Sequence, residues 1–249
     1  MAVPSADVVK IKIFADGADL ESIRDAARDS RIKGFTTNPS LMRAAGVSDY
    51  KAFALEVLKV VEGRPVSFEV IADDFATMEA QAREIASWGS NVFVKIPVST
   101  TKGNFVGPLI ATLSNSGVKL NVTAVMTLNQ VKQIAEALAE KVAAVVSVFA
   151  GRIADTGRDP VPHMKSALDV LKSRPRAELL WASPRELLNI FQADEIGCHI
   201  ITVSPDVLKK LPLVGKDLDG YSRETVAMFH RDAAAAGFQI PVAARRSAS

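Results

Sequence analysis

Short runs of apolar and β-branched residues recur along the chain, separated by longer stretches with helical periodicity. The runs cover residues 11–15, 34–36, 66–71, 92–95, 119–125, 144–149, 178–181 and 199–202. Their starts lie about 20 to 35 residues apart, the length of one strand-plus-helix unit. Between them, residues 20–29 bring Leu20, Ile23 and Ala27 to one helical face. Residues 74–88 do the same with Phe75, Met78, Ala82, Ile85 and Ala86, and Asp73 or Asp74 can cap that helix. Residues 105–113, 128–138 and 161–171 follow the same spacing, and Pro184 stands where a further helix would begin. Residues 221–236 form one more helical stretch, with Val226, Phe229 and Ala233 on one face.

Eight strands alternating with helices imply a parallel sheet covered on both faces. A closed (β/α)₈ barrel of the TIM type and an open doubly wound sheet both meet that description. The count of eight, and the lack of a Gly-rich dinucleotide fingerprint, favour the barrel. No Pro/Gly/Ser-rich linker interrupts mid-chain, so residues 1–249 are expected to form one domain. Its barrel should span about 11–215, its extra C-terminal helix about 221–236 and a flexible tail 243–249.

Composition narrows the function classes. With 249 residues, 48% of them hydrophobic and 23% charged, the chain can bury a core without staples. Lys and Arg total 30 against 28 Asp and Glu, a net charge of +2, which argues against a nucleic-acid partner. The single cysteine, Cys198, excludes a disulfide framework and suits a reducing compartment. Residues 1–10 lack the apolar core of a signal peptide and no apolar run reaches membrane-spanning length, so the expected location is cytoplasmic, with no membrane partner. His163, His199 and His230 are scattered without metal-ligand spacing, so no metal site is expected, and Cys198 reads as a packed thiol.

In a barrel, catalytic groups sit at the C-terminal ends of the strands. The polar residues there are Asp16, the segment Thr36-Thr37-Asn38-Pro39, Glu69, Lys95, Asn121, Thr123, Ser147, Arg152, Ser183 and Arg185. Lys95 lies in the otherwise apolar Val92-Phe93-Val94-Lys95-Ile96-Pro97. Burial disfavours the ammonium and so favours an amine able to attack a carbonyl. A lysine at the strand's rim, snorkelling to water or paired with Asp16 or Glu69, is the plainer alternative. Two carboxylates beside one lysine are the set that Schiff-base chemistry uses, but each could equally be a simple ion-pair partner. Arg152 and Arg185 have the forked geometry that matches phosphate oxygens, and surface salt bridges are the competing role.

Three segments carry a resemblance. Gly34-Phe35-Thr36-Thr37-Asn38-Pro39-Ser40 resembles the Thr-Thr-Asn-Pro-Ser signature of the transaldolase family, specifically its short transaldolase and fructose-6-phosphate aldolase-like members. Val94-Lys95-Ile96-Pro97 resembles the family's Schiff-base lysine motif, and Ala182-Ser183-Pro184-Arg185 its phosphate element. The likeness runs from about Lys12 to about Phe238. It implies a (β/α)₈ barrel, no cofactor, sugar phosphates as partners and a homo-oligomer, pentamer or decamer, built through the extra helix. It also implies Lys95, Asp16, Glu69 and Thr123 as catalytic residues. Thr36, Asn38, Asn121, Ser147, Phe149, Arg152, Ser183 and Arg185 would be substrate contacts. Glu69, Phe149 and the Asn121–Thr123 pair match transaldolases rather than the aldolases. The implied reaction transfers a dihydroxyacetone unit from a ketose phosphate to an aldose phosphate. An aldolase-type lyase and a non-catalytic sugar-phosphate binding barrel are the alternatives. Pro184 departs from the family, which has a larger apolar residue there, and puts the phosphate pocket and the acceptor aldose in question.

Overall fold

The computed structural model describes residues 9–241. Residues 1–8 and 242–249, and with them the tail expected to be flexible, lie outside the described residues. Eight parallel strands close on themselves: β1 Lys12–Asp16, β2 Ile32–Thr36, β3 Val66–Glu69, β4 Val92–Pro97, β5 Leu120–Val125, β6 Ala144–Val148, β7 Ala177–Trp181 and β8 Ile200–Val203. Each pairs with the next, and β8 returns to β1 through Lys12↔Ile200 and Phe14↔Thr202. The open doubly wound sheet is thereby excluded. The barrel lies within one compact unit, described from Val9 to Pro212.

The helices are α1 Leu20–Arg28, α2 Pro39–Ala44, α3 Tyr50–Val60, α4 Phe75–Ser87, α5 Gly107–Asn115, α6 Leu128–Ala137, α7 Ala150–Asp155, α8 Pro160–Leu171, α9 Leu188–Glu195, α10 Pro205–Leu208 and α11 Leu218–Ala235. Side-chain caps at Asp19, Asn38, Asp49 and Asp74 set several starts, and Thr127 with Gln130 forms a capping box. Asp74, not Asp73, caps α4; Asp73 instead accepts from the amide and hydroxyl of Thr101.

Pro184 does not begin a helix. The next one starts at Leu188, because Asn189 Oδ1 accepts from the amides of Arg185 and Glu186 and holds that stretch as a loop. The helices α2, α7 and α10 are additional to the sequence expectation, since four to six residues carry too little periodicity to register, and the eleven-residue α3 is additional as well.

Period-two alternation divides each strand between two environments. One set, including Ile13, Phe35, Phe68, Val94, Ile96, Val122, Val146, Leu179, Trp181 and Ile201, belongs to the large core shared with the helices. The alternate set forms a separate cluster of Phe14, Val145, Leu180, Ala182 and Ile200, with Phe93 and Phe149 packed against it. That small cluster is an apolar floor, and the polar alternate residues stand above it. Gly34 gives the floor its room: a Cβ there would lie 2.5 Å from the Phe14 ring. The β1–β2 register slips beside this contact, between Ile13 and Phe14.

The second unit is described from Leu213 onward and is dominated by α11. Asp217 caps the helix by accepting from Gly220 N at 2.7 Å. Lys216 pairs with Glu224 and lies 4.4 Å from the centre of the Tyr221 ring. None of its residues is buried, and Leu218, Val226 and Phe229 are exposed. Among the described residues no helix is long and apolar enough to cross a membrane.

The Gly34 contact yields a stability prediction. Gly34→Ala is expected to overpack the floor and destabilise the protein by about 1–3 kcal/mol, outweighing the gain from a stiffer unfolded chain. Urea unfolding should show a lower midpoint at an unchanged m-value. An unchanged or higher midpoint would contradict the assigned contact.

Candidate active site

Above the apolar floor, the strand ends enclose a cavity of about 470 Å³. A larger, shallower depression of about 770 Å³ covers the loops after β3 and β4, near Asp73, Asp74 and Lys102. No strand residue reaches it, so the chemistry-bearing strand ends belong to the smaller cavity.

Lys95 is the centre of that cavity. The β3–β4 register pairs Glu69 with Lys95, which sets both side chains at one level on adjacent strands. Lys95 Nζ donates to the Thr37 carbonyl at 3.0 Å and lies 3.1 Å from Glu69 Oε2. Their side chains are only 9% and 17% exposed, so this is a buried contact rather than a snorkelling one. A charge pair removed from water in this way persists only with close geometry and additional hydrogen bonds.

Asp16 faces the pair from β1. The Thr36 hydroxyl donates to its Oδ1 at 2.8 Å, and the Thr36 and Thr202 hydroxyls are 2.5 Å apart. Burial pushes the Asp16 carboxyl above its ordinary value, against the lowering effects of nearby Lys95 and the Thr36 hydrogen bond. Thr36 is thus engaged with Asp16.

On β5, Asn121 and Thr123 share the inward parity but have different surroundings. Asn121 is buried below the cavity, donating to Ser67 Oγ at 2.9 Å and accepting from Ser147 Oγ at 2.6 Å. Ser147 itself lines the cavity, whereas Asn121 does not. Next to Thr123 the β5–β6 register breaks, and Ala124 has φ 60°. Such a left-handed, non-glycine residue in a bulge re-aims its neighbours. Thr123 Oγ1 is buried and has no hydrogen-bond partner among the described residues. A buried hydroxyl in that position calls for a polar guest.

The cavity's far side is formed after β6 and β7. Phe149, Arg152 and Ser183 line it, and the Arg152 guanidinium lies 5.4 Å from the Phe149 ring centre. Ser183 has φ 60°, and its carbonyl oxygen sits so near Gly151 that a Cβ there would lie 1.5 Å away. Only glycine permits this approach of α7 to the loop after β7. Arg185 does not line the cavity. Its Nε donates to Asp155 Oδ1 at 2.9 Å and its Nη2 to Asp155 Oδ2, which holds the Asp155 carboxyl below its ordinary value. That fork uses two of the guanidinium's five N–H groups.

Asn38 lines the cavity and also caps α2 by accepting from Leu41 N at 3.0 Å. The barrel therefore brings Asp16, Thr36, Asn38, Glu69, Lys95, Thr123, Ser147, Phe149, Arg152 and Ser183 to one cavity. Asn121 lies beneath it and Arg185 beside it. Sequence reasoning missed Thr202 and Asp155. Thr202 had a signal, since it is the polar residue in Ile200-Ile201-Thr202-Val203 and shares the parity of Ile200. Asp155 had none, because its partner is distant along the chain.

Elsewhere the Cys198 thiol is buried, and burial pushes it up to about 12. His199 lies just before β8, and its Nδ1 accepts from Leu179 N at 2.9 Å. Both lie just before β8, outside the cavity.

Comparison with known proteins points one way. A family model described as Transaldolase/Fructose-6-phosphate aldolase matches residues 13–242. A Dehalococcoides mccartyi protein named "Probable transaldolase" is 37% identical over 202 residues, covering 81% of this chain and 90% of the relative. A protein of the same name from Nitrosopumilus maritimus is 34% identical over 219 residues, covering 86% and 94%. Among solved structures, a dihydrodipicolinate synthase from Rhodopseudomonas palustris superposes with a TM-score of 0.56 at 19% identity, covering 94% of this chain and 82% of that one. That likeness is one of fold alone.

The raised Asp16 carboxyl makes a stability prediction whose sign is fixed. A carboxyl raised by folding is more protonated in the native state. Its contribution to stability is therefore complete below its ordinary value of 3.8 and is lost as pH rises through the raised value. Asp16→Asn mimics the protonated acid at every pH and can still accept from Thr36. The variant is expected to resist urea better than wild type at neutral pH, with the advantage shrinking toward about pH 4. An advantage that is absent at neutral pH, or that does not change with pH, would contradict the buried, charge-penalised Asp16.

Proposed function

Because the chain belongs to the transaldolase/fructose-6-phosphate aldolase family, we propose that it is a transaldolase working through a Schiff base on Lys95. It would transfer a dihydroxyacetone unit from fructose 6-phosphate or sedoheptulose 7-phosphate to an aldose phosphate, a step in the pentose phosphate pathway. The observation that carries this reading is the buried 3.1 Å contact between Lys95 Nζ and Glu69 Oε2. Sugar-phosphate binding alone has no use for an amine and a carboxylate held together out of water.

Lys95 passes a proton to Glu69 and its Nζ attacks C2 of the ketose. Glu69 returns a proton to the new C2 hydroxyl, which leaves as water and gives the iminium. The unpartnered Thr123 hydroxyl suits a water that carries protons between Glu69 and the reacting atoms. Asp16 takes the proton of the C4 hydroxyl. The C3–C4 bond then breaks, an aldose phosphate departs, and the electron pair enters the iminium to form an enamine. Burial helps here, since a carboxylate penalised by desolvation gains by accepting a proton. The enamine attacks the carbonyl of the incoming aldose phosphate, and the reverse steps free the new ketose. The iminium is itself the electron sink, so the mechanism calls on no metal or diffusible cofactor.

Asn38 and Ser147 would bind the hydroxyls of the dihydroxyacetone unit, with Asn121 orienting Ser147 from below. Arg152 and Ser183 would take the phosphate. Arg185 adds to that subsite through the N–H groups that Asp155 leaves free, chiefly those on Nη1.

The test is a paired assay with fructose 6-phosphate, with and without erythrose 4-phosphate, on wild type and Glu69→Gln. Wild type should transfer dihydroxyacetone to erythrose 4-phosphate faster than it releases it free. Glu69→Gln should lower kcat about 10²–10⁴-fold with little change in KM, because an amide cannot relay a proton. Equal release of free dihydroxyacetone without acceptor would make the protein an aldolase and overturn this reading.

A further inference from the structure

The main chain of Glu69 has no ladder partner on the side facing β2. Strands β2 and β3 pair only at Phe35↔Val66 and Thr36↔Ser67. One residue later, Thr37 N and Thr37 Oγ1 both donate to the Ser67 carbonyl, at 3.2 and 3.0 Å, and the chain then turns away into α2. On the other side the ladder continues: Glu69 is in register with Lys95, and Val70 N donates to the Lys95 carbonyl at 3.0 Å. The edge of β3 facing β2 is therefore open at Glu69.

Tyr50 closes that gap. It is the first residue of α3, whose start is fixed by Asp49 accepting from Ala52 N at 3.0 Å. Its hydroxyl donates to the Glu69 carbonyl at 2.9 Å and accepts from Glu69 N at 2.7 Å. One phenol thus satisfies both backbone groups that a neighbouring strand would otherwise hold. The ring is fixed in turn by edge-on contacts with Phe68, at 6.3 Å, and Trp88, at 5.7 Å. Burial pushes the phenol well above its ordinary value, so it keeps the proton it donates.

We propose that Tyr50 is the positioning residue for Glu69, substituting for the missing strand so that Oε2 stays at 3.1 Å from Lys95 Nζ. Phenylalanine in its place keeps the aromatic packing but strands an N–H and a C=O and frees the backbone that aims the carboxylate. A shift of about 1 Å at a catalytic group can cost on the order of 10²-fold in rate. Tyr50 does not line the cavity, so binding should not feel the change.

This inference rests on Glu69 being the proton relay, and the experiment separates the two. Wild type, Tyr50→Phe, Glu69→Gln and the double variant are assayed for transfer from fructose 6-phosphate to erythrose 4-phosphate. Tyr50→Phe should lower kcat about 10- to 100-fold with KM within about two-fold. In the Glu69→Gln background the same change should cost less than about two-fold, because there is no relay left to aim. Equal losses in both backgrounds, or a kcat like that of wild type, would overturn the positioning role. A fully active Glu69→Gln would instead overturn the relay reading, and this inference with it. If Tyr50→Phe does not fold, 3-fluorotyrosine at position 50 preserves the ring and alters only the hydroxyl's hydrogen bonding. It should then change kcat but not KM, and no change in either would be contrary.

Discussion

A lysine amine held inside an apolar barrel is the constraint on which the rest of the site depends. Lys95 has β-branched neighbours on its own strand, and its amine contacts the Thr37 carbonyl at 3.0 Å and Glu69 Oε2 at 3.1 Å. Removing one partner of such a pair typically costs 3–5 kcal/mol, because the other charge is left buried alone. Closure of the sheet is what makes the arrangement affordable. The closed sheet holds β3 and β4 in register, which sets Glu69 beside Lys95. The carbonyl of Thr37 is available for the same reason that Tyr50 is needed: β2 leaves the ladder just before Glu69.

The barrel wall separates stability from chemistry by parity. One set of alternate residues packs against the helices in a continuous aliphatic core, and the other set faces the lumen. In the lumen, an apolar floor around Phe14, Val145, Leu180 and Ile200 supports a polar storey of Asp16, Glu69, Lys95, Thr123 and Ser147. Two backbone irregularities lie beside that storey. Ala124 at φ 60° sits beside Thr123, and Ser183, also at φ 60°, reaches the cavity through a loop pressed onto Gly151. Departures from ordinary backbone geometry at these two points are consistent with strain held by a rigid frame.

Much of this was legible in the sequence. Eight β-branched runs at regular spacing announce the barrel, and Lys95 announces itself as the one charge within an apolar strand. What could not be read depends on contacts between distant segments. Tyr50 is an ordinary helical aromatic until α3 brings it beside β3, and Asp155 is a surface acid until α7 meets the loop after β7. Pro184 looked like a helix start because proline suits that position; the structure delays the helix to Leu188 because Asn189 caps the intervening amides. The apolar face of α11 was visible as a pattern, but a pattern does not say whether its residues are buried, and Val226 and Phe229 are exposed.

The most direct measurement of the central claim is chemical trapping. Wild-type protein incubated with fructose 6-phosphate and sodium borohydride should acquire a reduced adduct, of the dihydroxyacetone unit after cleavage or of the intact sugar phosphate before it, which peptide mass mapping should assign to Lys95, and Lys95→Met should acquire none. Lys102 on the loop after β4 and Lys119, whose Nζ donates to the Ser90 carbonyl, are accessible amines that provide the internal control. An adduct on either of them with Lys95 unmodified, or no adduct on a protein that still cleaves the sugar, would contradict the account.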